Sequence, residues 1–326
     1  MQRKCFILPV LRPHVQGTQV NLRPSLMHDE GHGRDIQIEQ GSPAILIIAS
    51  EEDRTALYFK KFVERNNCSI SLVSIEDSSL VSNFTWSDQD ISRQGHFPGI
   101  YFRGASTRCA KLNRVLEIMQ DVLAFYPGII INRPSRHSLN YSKPLQMTAI
   151  SRSIHQTVKP IPTFLSNVPA KIASSNETIV KSISSIRSEV VALTDARLLH
   201  GAGALHCPIQ LQPMLQGSCI RAHVCGDTVH AAKIDGDAVD YRYGEQIKMT
   251  RYELPQDVAA WCIQAARREG LEFAGIDFIY DEAAQLFSCL EINPSPGYHF
   301  YEKRLVDSGE APSISQWLLQ RLLGND

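Results

Sequence analysis

Two apolar runs of strand length, FAGIDFIY (273–280) and LFSCLEIN (286–293), flank the polar pentapeptide DEAAQ, and this pattern dictates an antiparallel hairpin. Each run carries oxygen ligands where a strand ought to be apolar. Asp277 sits inside GIDFIY, while Glu291 and Asn293 close CLEIN two residues apart. Residues two apart in a strand share a face, so Glu291 and Asn293 can meet one ligand, and the hairpin brings Asp277 beside them. Two carboxylates and an amide oxygen are hard donors, suited to Mg²⁺ and poorly suited to zinc. One acid alone in a half-buried strand is ordinarily solvated or paired with arginine. Three such groups ahead of a Pro-Ser-Pro-Gly turn shift the balance to a metal site.

The rest of the chain must supply a frame for that hairpin. At 326 residues it has room for two or three domains with their own cores. Its 33 basic and 34 acidic residues nearly cancel, which argues against a nucleic-acid partner. No apolar run approaches the roughly 18 residues that would span a bilayer, so no membrane partner is expected. The 8 cysteines are scattered without a Cys-x-x-Cys, which fits a reducing, cytoplasmic location with Cys262 and Cys289 as small core residues. Residues 1–42 lack periodicity and read as a poorly ordered extension. The run CFILPVL near its start is short for a signal h-region and is broken by Pro9.

From residue 43 the pattern is α/β. AILIIAS (44–50) reads as a buried strand, Ser50 to Asp53 has capping-box spacing that opens a helix to Asn66, and SISLVSI (69–75) is the next strand. GIYFR (99–103), a helix over 108–125 and GIIIN (128–132) complete a small open α/β domain over 43–132. ASEEDR lacks the glycines of a dinucleotide fingerprint. A polar connector leads to a helix from Ser142 to about Ile154, then to an extended VKPIPTFLS (158–166) and a strand in TIVKSIS. IQLQPML, CIRAHVC and TVHAAKI (209–234) read as strands, the last two joined by a Gly226-Asp227 hairpin turn. An amphipathic helix over 255–268 presents Val258, Trp261, Cys262 and Ala265 on one face, and a last helix covers 313–323.

Asp277 followed by LEINPSPG resembles the metal-binding end of the ATP-grasp ligases, in particular their RimK-like branch, and the order of elements from about residue 43 onward is similar too. The resemblance implies an α/β and α+β architecture: a small N-terminal open α/β domain, then two α+β subdomains (133–208 and 209–326) enclosing ATP. It implies that Asp277, Glu291 and Asn293 hold two Mg²⁺ ions, with Mn²⁺ as an alternative, against the triphosphate. Lys143 in YSKPLQ and Lys181 in IVKSISS fall where the family places phosphate-contacting lysines. The stretch 182–188, with Ser184, Ser185 and Arg187, corresponds to the lid loop, where many relatives carry glycines. Gln212, Pro213, Met214 and Leu215 match the hinge that recognises adenine. Pro213 replaces the usual acidic residue and has no N–H, so the hinge donor must come from Met214 or Leu215. Cys219 stands where an Asp is common. Arg221 and Arg242 look like the arginines that border the reaction centre, and Arg suits bidentate contact with carboxylate or phosphate.

The activity that the resemblance implies is that of an ATP-dependent carboxylate–amine ligase. A substrate carboxylate would be activated as an acyl phosphate and condensed with the amine of an amino acid or peptide. Arg103 and Arg136 lie in loops placed to select the acceptor. An ATP-grasp kinase and a nucleotide-binding regulatory protein are the alternatives, and homo-oligomerisation is left open. Neither a Walker A loop nor a Gly-x-Ser-x-Gly elbow is present, and His206 and His299 offer no recognisable site spacing.

Overall fold

The structure, a computed structural model, describes residues 44–77, 99–103, 109–134, 143–153, 155–167, 178–183, 207–235 and 248–325, with the backbone of 14–15, 18–19 and 190–192. Two compact units emerge, one from Met1–Ser135 with Ser315–Asp326, the other from Arg136–Ile314. Within residues 1–42, β1 (His14–Val15) and β2 (Thr18–Gln19) form a short antiparallel ladder.

The first unit is built on a parallel sheet. β3 (Ile45–Ala49) lies between β4 (Ile70–Ser74) and β5 (Gly99–Phe102), with β6 (Ile130–Ile131) beyond β5. All five residues of β3 are buried, as expected for a strand covered on both faces. α1 (Arg54–Arg65) supplies Ala56, Phe59 and Val63 to one face, with Phe59 edge-on to Tyr101. α2 (Ala110–Ala124) supplies Leu112, Leu116, Met119 and Leu123, at helical spacing, against Leu46, Ile48, Ile100 and Phe102. Arg133 Nη1 and Nη2 reach the carbonyls of Tyr126 and Gly128, both at 2.7 Å, just past the end of α2.

One detail of this unit differs from the capping-box reading. The N-cap of α1 is Asp53, whose Oδ1 accepts from the N–H groups of Thr55 at 2.8 Å and Ala56 at 3.0 Å. Ser50 Oγ accepts instead from the Glu52 N–H. Asp53 prevails because its second oxygen also takes the Arg103 Nε–H at 2.8 Å, so one carboxylate serves helix and ion pair together.

The second unit holds two sheets. After α3 (Lys143–Arg152) comes β7 (Val158–Pro160), then β8 (Phe164–Ser166), β9 (Thr178–Ser182), β10 (Val190–Ala192) and β11 (Ile209–Pro213). The last four form an antiparallel sheet in the order β10-β9-β11-β8. The larger sheet contains β12 (Ser218–Cys225), β13 (Thr228–Asp235), β14 (Lys248–Tyr252), β15 (Phe273–Asp281) and β16 (Leu286–Asn293). Its order is β14-β13-β12-β15-β16-β7, antiparallel except where β7 joins β16. Cys225 pairs with Thr228, so the β12–β13 turn is the expected two-residue one, with Gly226 at a positive φ of 60°.

One face of the larger sheet is apolar. Ile220, Ala222 and Val224 of β12 join Ala274, Ile276 and Phe278 of β15 and Cys289 and Ile292 of β16 in a single core. α4 (Gln256–Arg268) covers it with Val258, Trp261, Cys262 and Ala265, and α3 adds Met147 and Ile150. Each large side chain so buried contributes about 1.5–3 kcal/mol of transfer free energy, which fixes which face turns inward. The alternate residues must then face the other way.

Besides β1, β2 and β10, two elements of the second unit had no counterpart in the sequence reading. β14 is a polar edge strand, and α5 (His299–Asp307) follows the NPSPG turn. The final helix, α6 (Ser313–Leu323), groups from Ser315 onward with the first unit. A Cβ on Gly99 would collide with the Leu322 backbone, so glycine is what lets the helix lie against the start of β5. Among the described residues, no helix is long and apolar enough to cross a membrane.

Candidate functional site

The outward residues of β12, β15 and β16 stand in cross-strand register. Arg221 pairs with Asp277, Asp277 with Glu291, and Gly275 with Asn293. A bulge between Asp277 and Phe278 shifts the register immediately beyond the acidic pair. The three proposed metal ligands thus share one face of adjacent strands. Asn293 Oδ1 accepts from the Ser295 N–H at 2.9 Å, which ties the last ligand to the turn after it.

Cations occupy the same face. Lys143, the first residue of α3, extends its Nζ to Glu291 Oε2 at 2.8 Å. Arg221 Nη1 meets Asp277 Oδ2 at 2.6 Å. Burial pushes the Glu291 carboxyl up, but the charge and hydrogen bond of Lys143, then the charges of Arg221 and Lys181, bring it down to about 2. Lys181, on β9, therefore lies near enough to act on Glu291 although it belongs to the other sheet. The fold brings Lys143, Arg221, Asp277, Glu291 and Asn293 together, with Lys181 close by.

The hinge candidates belong to the smaller sheet and the segment after it. Gln212 and Pro213 end β11; Gln212 is buried and donates through Nε2 to Thr163 Oγ1 at 2.9 Å. Met214 and Leu215 come next, outside the strand, and Leu215 packs against the larger core. Ser184, Ser185, Arg187, Arg242 and Arg136 fall outside the described residues. Arg103 is buried and paired with Asp53 in the first unit. Glu302 is buried, and its Oε2 accepts from the Ile314 N–H at 2.7 Å, a structural role.

Among the described residues, no three His, Cys, Asp or Glu side chains form a cluster able to hold a metal by themselves. The set of two carboxylates and one amide suits a different arrangement. Mg²⁺ keeps few protein ligands and completes its shell with phosphate oxygens and water. Two acids beside Lys143, Lys181 and Arg221 match a cation arriving together with a polyphosphate, so the residues present fit Mg²⁺.

Three supporting residues escaped the sequence reading. Gln146, one turn after Lys143, is buried and donates through Nε2 to the Ile292 carbonyl at 2.7 Å, between Glu291 and Asn293. Its i, i+3 spacing from Lys143 is the signal that could have revealed it. His223 is fully buried two residues after Arg221, on the same face, and stacks on Tyr301 of α5 with ring centroids 5.3 Å apart. Gly275 lies directly beneath Arg221; a Cβ there would stand 2.5 Å from Nη2 and 2.7 Å from both Cζ and Pro296 Cβ.

The architecture is that of the ATP-grasp ligases. Among solved structures with this fold, the ATP-grasp ligase PsnB complexed with minimal precursor, Mg and ADP aligns with a TM-score of 0.64 at 19% identity, over 90% of this chain and 100% of that one. A Chryseobacterium gregarium RiPP-associated ATP-grasp ligase, in complex with ADP and a leader and core peptide, gives 0.64 at 17% identity, over 86% and 97%. The macrocyclase MdnC from Microcystis aeruginosa MRC, bound with precursor peptide MdnA, gives 0.65 at 16%, over 85% and 99%. Neither a protein-family model nor a curated protein sequence matches this chain.

Proposed function

We propose that this protein is an ATP-dependent carboxylate–amine ligase that acts on a peptide. The observation that carries the reading is the ligand set Asp277, Glu291 and Asn293, aligned across two strands and flanked by Lys143, Arg221 and Lys181, in an ATP-grasp architecture. The peptide substrate is supported by neighbours of the same fold bound to precursor or leader peptides.

In this reading Asp277, Glu291 and Asn293 would hold Mg²⁺, which would supply charge neutralisation to the triphosphate. Lys143 and Lys181 bind the phosphates, and Lys143 exchanges its contact with Glu291 for one with the nucleotide. The hinge from Gln212 to Leu215 holds the base, and Ser184, Ser185 and Arg187 bind the phosphates. A substrate carboxylate attacks the γ-phosphorus, releasing ADP and leaving an acyl phosphate. Arg221 and Arg242 stabilise the charge on that mixed anhydride. An amine then attacks the acyl carbon, inorganic phosphate departs, and an amide forms. No protein nucleophile is needed, because ATP activates the acid.

The test is to incubate the protein with Mg-ATP and a panel of amino acids and peptides, with hydroxylamine as a trap. Release of ADP and phosphate in equal amounts, together with a hydroxamate, supports the ligase. A stable phosphorylated product without condensation replaces it with a kinase, and no release with any substrate, despite nucleotide binding, leaves a regulatory binder.

A further inference from the structure

We propose that His223 is a positioning residue that holds the Arg221 guanidinium over Gly275, so that its Nη edge faces Asp277 and the reaction centre. This role rests on the ligase reading, since Arg221 belongs to that same site.

Three observations converge on this geometry. Arg221 Nε points to His223 Nε2 at 3.5 Å while Nη1 meets Asp277 at 2.6 Å, so opposite ends of the guanidinium are engaged. Beneath the plane, Gly275 lacks the Cβ that would strike Nη2 and Cζ. Behind His223, Tyr301 stacks on the imidazole, and Tyr301 is itself anchored by a hydrogen bond from its hydroxyl to the Ala231 carbonyl at 3.0 Å. The chain of contacts therefore runs from β13 through α5 and β12 to the acidic strand.

A neutral imidazole is required, because Nε2 must accept the Arg221 Nε–H. Burial first, then the charges of Arg221 and His230, press the His223 pKa down against a raising contact from the Gly297 backbone. At 3.5 Å the contact is long, so it serves orientation more than binding energy. Orientation is what the site needs: a planar guanidinium that swings about its Nε–Cζ axis loses its alignment with the developing acyl phosphate.

The competing explanation is that His223 only fills space against Tyr301. Phenylalanine would fill that space and still stack, but it has no acceptor. Glutamine places an amide near the Nε2 position and can accept. The two substitutions separate packing from positioning.

The experiment uses the full chain with ¹⁵N-labelled arginine and no ligand. The Arg221 Nε–H resonance is assigned by its loss in Arg221→Lys. In His223→Phe that resonance should broaden or shift and exchange with solvent about tenfold faster as the ordering contact disappears, and His223→Gln should restore it. An Arg221 resonance unchanged in His223→Phe overturns the proposal. Should the Phe variant fail to fold, His223→Asn, which lacks an acceptor at the Nε2 position, replaces it under the same criterion.

A second measurement ties the device to the reaction. His223→Phe should lower ADP formation at saturating Mg-ATP by about tenfold to a hundredfold while KM for ATP stays nearly constant, and His223→Gln should recover most of the loss. Loss of ATP affinity with unchanged turnover would overturn the positioning role. If the wild type binds no Mg-ATP, the ligase reading falls by itself, whereas the ligand-free resonance still decides whether His223 orients Arg221.

Discussion

The two principal sheets of this molecule solve different problems. The parallel sheet of the first unit is covered on both faces, so its central strand is apolar at every position and its charged groups collect past the strand ends, as with Asp53 and Arg103. The six-stranded sheet is apolar on one face and carries Arg221, His223, Asp277, Glu291 and Asn293 on the other. A doubly covered sheet supports an ion pair as architecture. A sheet committed on one face only can display a row of charges whose spacing is set by the ladder itself. The same interaction, a short and largely buried Arg–Asp pair, thus serves two settings: past the end of a strand beside a helix cap in one, within a row of charges on an open sheet face in the other.

The sharpest way to break this comparison is to neutralise the acids of the six-stranded sheet. Asp277→Asn and Glu291→Gln should each lower ADP formation by about a thousandfold, the upper range for loss of a transition-state charge contact, while the chain still folds. Activity that survives in both variants would remove the metal assignment.

Asp53→Ala should do the reverse. It removes the α1 cap and leaves Arg103, whose side chain is only 6% exposed, without this carboxylate. The expected cost is about 3 kcal/mol of stability in the first unit, measured by denaturant unfolding. Nucleotide binding measured on the folded fraction should be unaffected.

Next in size, Lys143→Ala and Lys181→Ala should each weaken binding of a non-hydrolysable ATP analogue by about 1.5–3 kcal/mol in calorimetry, through loss of a charge-assisted phosphate contact. Tight binding by both variants would mean that these lysines serve the acids and not the nucleotide.

The smallest effect is on pH dependence. Burial pushes the Asp53 carboxyl up, but Arg103 and the two helix N–H groups hold it below its ordinary 3.8. Its folded-state pKa is therefore depressed, so its stabilisation is complete above that ordinary value and disappears as pH falls through the folded one. The stability gap between wild type and Asp53→Asn should be flat near neutrality and close in acid. A gap that widens in acid would contradict the pairing.

Much of the polar face of the larger sheet was legible because Asp277, Glu291 and Asn293 break an apolar alternation, and strand periodicity converts such a break into a shared face. The Gly226-Asp227 turn and the buried stripe of α4 were legible for equally local reasons. What stayed hidden depends on partners distant in sequence. Nothing around Ser50 reveals that Arg103 will select Asp53 as the cap. His223 shares CIRAHVC with Arg221 among apolar residues, and its meaning comes from Arg221 on one side and Tyr301 on the other. Tyr301 belongs to a nine-residue helix whose buried Tyr301 and Glu302 are adjacent in sequence, which gives no helical stripe to read.

The grouping of Ser315–Asp326 with the first unit has a consequence for biosynthesis. Residues 136–314 are one uninterrupted segment and can complete their fold on the ribosome as soon as they emerge. The parallel sheet is translated earlier but must wait for the helix that rests against Gly99. The first unit is thus finished only after the second has been translated, and a nascent chain halted before residue 315 lacks the helix that rests against Gly99.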